Sequence, residues 1–367
     1  MKTIKLFTFA FASLLMTGCA LEQKQAKQES CASACTKNQR WSAEKAKEWY
    51  DQQGWIRGCN FIPSNAVNQL EMWQEDTFSP ELIDKELGWA AELGFNTTRV
   101  YLHSMAWQQD KEGFKNRMDK YLTIANKHGI KALFVFFDDC WNAEATIGKQ
   151  PAPKTGIHNS GWVQDPSVSR RADTTKLYAE LKPYIIDVMT TFKNDKRILL
   201  WDMYNEPGNR EHCNTSLPLL KKAFEWAREV NPSQPISAGI WRWDFYELNT
   251  FQLKNSDIVT YHCYTDKDSH MEKIHFLRHA GRPLICTEWM ARRFDSTFDK
   301  VMPMLKEQHI GAINWGFVAG KTNTIYAWDD PKPDGKEPEL WFHDIYRPDK
   351  TPFLQKEIDT IKQLTGK

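Results

Sequence analysis

The chain has 367 residues, 41% hydrophobic and 26% charged, with 48 basic side chains against 47 acidic ones. A balance that even leaves no basic field for a phosphate backbone, and a mean hydropathy of −0.61 excludes a polytopic membrane protein. What stands out is 16 Trp, 20 Phe and 11 Tyr along the whole length, an aromatic load that fills a large core and also offers flat faces to flat ligands such as sugar rings.

The first elements form an address. Met1–Lys5 carries two lysines, Leu6–Met16 is an apolar run too short to span a bilayer, and small residues precede Cys19. Residues 1–18 are therefore predicted to be a lipoprotein signal, since Leu15-Met16-Thr17-Gly18 before Cys19 resembles a bacterial lipobox. Residues 19–45 read as a flexible tether rich in Gln, Lys, Ser and Ala, which lipid on Cys19 would anchor to a membrane. This places the mature protein in a bacterial cell envelope, on a membrane face the sequence leaves open.

From residue 46 to the end the pattern is that of one domain. Apolar runs at Ile56–Phe61, Thr97–His103, Ala132–Asp138, Ile198–Asn205, Ile236–Trp241, Ile258–Tyr264, Leu284–Glu288 and Ala312–Phe317 alternate with amphipathic stretches. One helix is predicted to start at Ser79-Pro80, to bury Leu82, Ile83, Leu87, Ala90 and Ala91, and to stop at Gly94. The last should begin at Thr351-Pro352 and bury Leu354, Ile358, Ile361 and Leu364. Eight near-continuously apolar strands alternating with helices predict an α/β fold, a single-domain (β/α)8 TIM barrel. The alternative, an open doubly wound sheet, has no GxGxxG turn or phosphate-binding loop to support it.

The cysteines after Cys19 are seven. Cys31 and Cys35 could pair within the tether. Cys59, Cys263 and Cys286 fall in apolar runs and read as buried free thiols. Cys140 and Cys213 follow neighbouring strands, where a disulfide is possible in an oxidising compartment. No cysteine or histidine spacing suggests a metal, and His275 with His279 reads as a plain helix face.

In a barrel of this kind chemistry gathers where the strands end. Strand four runs out in Trp201-Asp202-Met203-Tyr204-Asn205-Glu206-Pro207 and strand seven in Cys286-Thr287-Glu288-Trp289. A lone strand-end glutamate is ordinarily half of an ion pair. Two facing one cleft are what glycoside hydrolysis needs, one protonated to help the leaving oxygen and one ionised to attack the anomeric carbon.

With Asn205-Glu206-Pro207 closing strand four and Glu288 closing strand seven, the sequence resembles the retaining β-glycoside hydrolases of clan A, and most closely the cellulase and mannanase family, family five. The resemblance covers about residues 50–366. It implies Glu206 as acid/base, Glu288 as nucleophile, and Asn205 on the 2-hydroxyl of the sugar being cleaved. It further implies Arg99 beside the nucleophile to hold it ionised, His262 and Tyr264 steadying the two carboxyls, and Trp315 as a platform under that sugar. The sequence departs from the family at strand three, which ends Phe137-Asp138-Asp139-Cys140-Trp141 where a histidine is usual. His103 is the residue that could take part of that role. Asp138 either bonds sugar hydroxyls or, with Asp139, fixes a loop. Apolar enclosure and the charge of Glu288 should keep Glu206 protonated.

Loops 139–173, with Trp141, and 318–345 should stand over the cleft and shape substrate choice. The implied activity is a retaining β-glycoside hydrolase without metal or cofactor, acting on a carbohydrate and monomeric. Endo-cleavage of a β-1,4-linked xylan, mannan or glucan is the first expectation. An exo-acting pocket and a lipid-anchored glycan-binding protein on the same barrel are the alternatives. An esterase would need a GxSxG elbow, which is not present.

Overall fold

The computed structural model describes residues 39–367. The predicted signal, Cys19, Cys31, Cys35 and most of the tether lie outside the described residues. A compact unit begins at Arg40, so the last residues of the span read as tether are folded. Trp41 is buried, and Ala43–Gln53 is a helix capped by the Ser42 hydroxyl.

All eight predicted strands are present: β1 Arg57–Asn60, β2 Thr97–Tyr101, β3 Lys131–Asp138, β4 Ile198–Asn205, β5 Ile236–Ser237, β6 Val259–His262, β7 Leu284–Glu288 and β8 Gly311–Asn314. They pair in parallel in the order β5-β4-β3-β2-β1-β8-β7-β6. The remaining gap closes through Ile240, whose N–H donates to Thr260 O and whose carbonyl accepts from His262 N. This is a single-domain (β/α)8 barrel.

The near-continuous apolar strands follow from burial on both faces. Leu133 and Val135 of β3 pack inside the barrel with Tyr101, Ile285 and Ile313, while Ala132, Phe134 and Phe136 pack outward. The helix Ala43–Gln53 joins the interior cluster with Ala46 and Tyr50, and the Tyr50 hydroxyl donates to the carbonyls of Leu284 and His309.

One helix cap and one helix start differ from the sequence reading. The helix Pro80–Glu92 does begin at Pro80 and bury Ile83, Leu87 and Ala90, and the chain turns away at Gly94 with φ +75°. The Ser79 hydroxyl, however, donates to Asn65 Oδ1 instead of capping. The last helix starts at Gln355, later than Thr351-Pro352 suggested, and leaves Leu354 exposed while Ile358 and Ile361 are buried. The apolar spacing fixed the face of this helix, but no side-chain cap marks its first turn.

The N-terminal segment is held by Asp257, which is fully buried. Its carboxylate accepts from Trp41 N at 2.8 Å, Ile236 N at 2.9 Å and the Arg228 guanidinium at 2.8 and 2.9 Å. Removing one side of such a buried cluster strands the other groups. Asp257→Ala is expected to lower the unfolding free energy by about 3–5 kcal/mol in a denaturant titration, with little effect on the catalytic parameters of the protein that remains folded.

Candidate active site

Arg99 lies at the centre of the barrel mouth, near the end of β2, and is wholly buried. Its Nε and Nη2 donate to Asp202 Oδ2 at 3.1 and 2.8 Å, Nη2 also to Asn205 Oδ1 at 2.8 Å. Nη1 donates to Asn60 Oδ1 at 2.9 Å and to Glu288 Oε1 at 2.7 Å, with the Tyr101 hydroxyl oxygen at 2.6 Å. Burial opposes the charge, but Tyr101, Asp202 and Glu288 around it outweigh that and hold the guanidinium well above its ordinary range. One cation thus ties together the ends of β1, β2, β4 and β7.

Glu288 closes β7 and collects donors on both oxygens. Arg99 and the Tyr101 hydroxyl, at 2.8 Å, reach Oε1; the Tyr264 hydroxyl reaches Oε2 at 2.7 Å. Burial pushes both phenols well above their ordinary range, so they stay O–H donors.

Glu206 follows β4 and sits at φ +45°, a backbone conformation uncommon for a side chain of this kind. Its Oε1 faces His262 Nδ1 at 2.9 Å. Its Oε2 accepts from the Cys140 thiol at 3.2 Å and Asn209 Nδ2 at 2.6 Å. His262 Nε2 is buried without a partner, which suits a ring carrying its proton on Nδ1 and donating it to Glu206. Here the structure corrects the sequence reading. Burial does push the Glu206 carboxyl up, but the hydrogen bond from the His262 N–H, with those from Cys140 and Asn209, outweighs it and leaves the group below its ordinary value. Glu206, His262 and Glu288 converge so closely that atoms of all three lie within 4.8 Å of one another.

These side chains face a cleft of about 420 Å³. Asn205, Glu206, Tyr264, Glu288, Trp315 and Trp141 of the predicted residues line it, and His262 stands directly behind the glutamates. Besides Arg99, wholly buried behind Glu288, two predicted residues do not reach it. His103 is fully buried where the chain turns from β2 into the helix Ser104–Gln109, and its Nδ1 accepts from Met105 N. Asp138 is buried beneath the mouth, its oxygens taken by Asn205 Nδ2, Cys140 N and Trp162 Nε1. Burial, only partly offset by these donors, pushes its carboxyl up to about 7. Asp139 accepts from Gly208 N and the hydroxyls of Tyr204 and Ser216. The loop-fixing alternative for the Asp138-Asp139 pair is thus the one the contacts favour.

The possible Cys140–Cys213 disulfide is not formed: both thiols are free, Cys140 buried and Cys213 exposed. Cys140 is engaged inward, by Glu206, Asn205 and Asn209. His275 and His279 are on an exposed helix face, as read from their spacing.

Sequence reasoning missed several residues. Tyr101 stands two positions after Arg99, hence on the same strand face, a spacing that could have pointed to it. Asn209 and Arg210, three and four residues past Glu206, also line the cleft with nothing in their local sequence to mark them, while Trp162 and Trp328 line it from the two loops expected over it and Trp241 from the end of the fifth apolar run.

Comparison with known proteins bears on this constellation. The family model for cellulase (glycosyl hydrolase family 5) matches residues 64–320. The chain belongs to that family. No curated protein matches it by sequence. Among solved structures, a family 5 subfamily 18 enzyme from Streptomyces cattleya in complex with Manβ1-4GlcNAc superposes with a TM-score of 0.57 at 11% identity, covering 85% of this chain and 80% of that one. A family 5 mannosidase from Rhizomucor miehei gives 0.57 at 16% identity, over 85% and 92%. The endo-1,4-β-D-mannanase from Thermotoga petrophila gives 0.51 at 14%, over 83% and 99%. At these identities the likeness is one of fold. Membership of family 5 makes the protein a retaining glycoside hydrolase.

The donors on Glu288 lead to one expectation. A hydrogen bond to a charged group contributes about 1.5–3 kcal/mol, so Tyr101→Phe should lower kcat/KM roughly ten- to a hundredfold in steady-state kinetics, with the melting temperature little changed.

Proposed function

We propose that this family 5 hydrolase is exo-acting, taking single sugars from the non-reducing end of β-linked oligosaccharides. Glu288 is assigned as its nucleophile and Glu206 as its acid/base. The observation that carries the reading is the junction of two long loops over the cleft.

The loop after β3 and the loop after β8 are bonded to each other along their length. Asn159 N donates to Thr322 O at 2.8 Å, Asn323 Nδ2 to Lys154 O at 2.9 Å, and Lys332 N to Gly156 O at 2.9 Å, while His158 Nδ1 lies 2.8 Å from Tyr326 O. Gly156, at φ +66°, allows the approach: a Cβ there would stand 1.6 Å from the Lys332 carbonyl oxygen. In the sheet β3 and β8 flank β2 and β1, so the joined loops wall that side of the mouth. Trp328, from the β8 loop, then meets Tyr264 after β6 with ring centroids 5.1 Å apart. The wall thus runs from β3 past β1 and β8 to β6. What stays open is the β4–β5 side, where Glu206, exposed Arg210 and Trp241 stand.

A leaving group must depart on the side of the acid that protonates it. With the opening there, the sugar being cleaved occupies the closed end, against Trp315 and Trp162. A separate space bordered by those two rings holds only about 20 Å³, room for roughly one water and not for a further sugar. An endo-acting enzyme needs that room, and for this reason the exo reading takes precedence over the first expectation from sequence.

In the mechanism that follows, Glu288 attacks the anomeric carbon while Glu206 gives its proton to the departing oxygen. Glu206 then takes a proton from the water that frees the glycosyl-enzyme. An oxygen of Glu206 lies within 4.8 Å of one of Glu288, an approach in keeping with the close carboxyl pair of double displacement, about 5–5.5 Å apart, where inversion spaces the pair to admit water. The neighbours solved with Manβ1-4GlcNAc or named as mannosidases make β-1,4-mannosides the first substrates to assay.

On reducing-end-labelled β-linked tetrasaccharides the expected products are single sugars, first appearing in the β configuration by NMR, and a label shortened one residue at a time. Mixed internal fragments from the outset would overturn the exo assignment. Glu288→Ala should abolish turnover, and Glu206→Ala should lose activity most on poor leaving groups and recover in part with azide.

Glu206 is held low in the free enzyme and must be protonated to start the reaction, so activity should be lost as pH rises through its pKa. Bound substrate excludes water and favours the neutral carboxyl. The alkaline limb of kcat is therefore expected at higher pH than that of kcat/KM.

A further inference from the structure

We propose that Cys140 is a positioning residue for the acid/base carboxyl, its thiol donating to Glu206 Oε2 while accepting from the side-chain amides of Asn205 and Asn209. The inference rests on the assignment of Glu206 as acid/base and adds a residue at the place where this chain departs from its family.

The geometry is that of a relay. Cys140 lies two residues past the end of β3 and lines the cleft. Its Sγ is 3.2 Å from Glu206 Oε2, 3.3 Å from Asn205 Nδ2 and 3.3 Å from Asn209 Nδ2. Amide groups can only donate through those nitrogens, so the sulfur accepts from both and its own proton is left for the carboxyl. Asn205 Nδ2 is fixed in turn by Asp138 and its Oδ1 by Arg99, which ties the thiol to the buried charge network. Burial, with the negative charges of Asp138, Glu206 and Glu288 nearby, pushes the thiol well above its ordinary range. It therefore stays an S–H donor and is no nucleophile.

Such a donor has two effects on Glu206. It holds Oε2 on the β3 side, so that Oε1 stays against His262. It also favours the ionised form, the one needed to activate water in the second step, at the cost of lower proton affinity in the first. The other titratable or charged groups that face Glu206 are His262 at the end of β6 and Tyr264 after it, Glu288 on β7 and Arg210 in its own loop, with Asp138 behind the thiol and Arg99 behind Glu288.

The test is the pH dependence of kcat/KM for wild type, Cys140→Ala, Cys140→Val and Cys140→Ser on one oligosaccharide substrate, with Glu206→Gln alongside. Loss of the donor should move the alkaline limb to higher pH. Measured about two pH units above the wild-type optimum, the ratio to the value at the optimum should rise about three- to tenfold in the Ala and Val variants. Serine both donates and accepts, so Cys140→Ser should keep the limb near its wild-type place. Val, close to Cys in shape, keeps the test open if Ala unfolds. An equal loss at every pH, or a Ser profile displaced as far as that of Ala, would overturn the proposal. Full activity in Glu206→Gln would instead overturn the acid/base assignment beneath it.

Discussion

A buried guanidinium organises this enzyme. Arg99 carries a full charge into the buried mouth of the barrel, where an isolated charge would cost several kcal/mol. The cost is offset only because Asp202, Asn205, Asn60, Tyr101 and Glu288 are all arranged around it. These partners belong to different strands, so the strand register that closes the barrel is also what assembles the site. Glu288 is in turn oriented by Arg99 and by two phenols that never ionise in the working range. Few rotamers are left to freeze when a sugar arrives, which is how such a site keeps its carboxyls in reacting geometry.

Around that rigid floor the loops decide what can enter. Loops of this length could each have been an independent flap. Here they are stitched by backbone hydrogen bonds, with Gly156 against Lys332 and Asn323 reaching back to Lys154. His158, buried between Trp141 and Trp328, is pulled down to about 4 by desolvation and stays neutral among these aromatics. The result is a wall and not a lid. On the exo reading proposed above, access is left on the acid/base side, and the same structure that would exclude a sugar behind Trp315 would leave the leaving group free to extend into solvent.

Much of this was legible in the sequence. The eight strands were visible because burial on both faces leaves an apolar run that a half-exposed strand would not have, and the carboxylate pair was visible because each glutamate ended such a run. What the sequence could not give was depth. Asp138 and His103 stand at strand ends as Glu206 and Glu288 do, yet one is sunk under Asn205 and Trp162 and the other is turned into a helix start. Cys140 and Cys213 follow neighbouring strands but point apart in function, one into the cleft and one to solvent. Tyr101 was within reach, sharing a strand face with Arg99. The proton affinity of Glu206 was not, because it depends on how many donors converge on one carboxyl from two loops and the end of β6.

The most direct measurement is to trap the intermediate. Wild-type enzyme would be incubated with single-sugar 2-deoxy-2-fluoro-β-glycosyl fluorides, the manno and gluco forms in parallel, followed by intact and peptide mass analysis. A one-sugar adduct on Glu288, formed by at least one reagent and absent in Glu288→Ala, is the result predicted for a double-displacement nucleophile at the closed end of a single-sugar pocket. Labelling of Glu206 would contradict the account, as would labelling that occurs only when the reagent is extended by a further sugar at its non-reducing end.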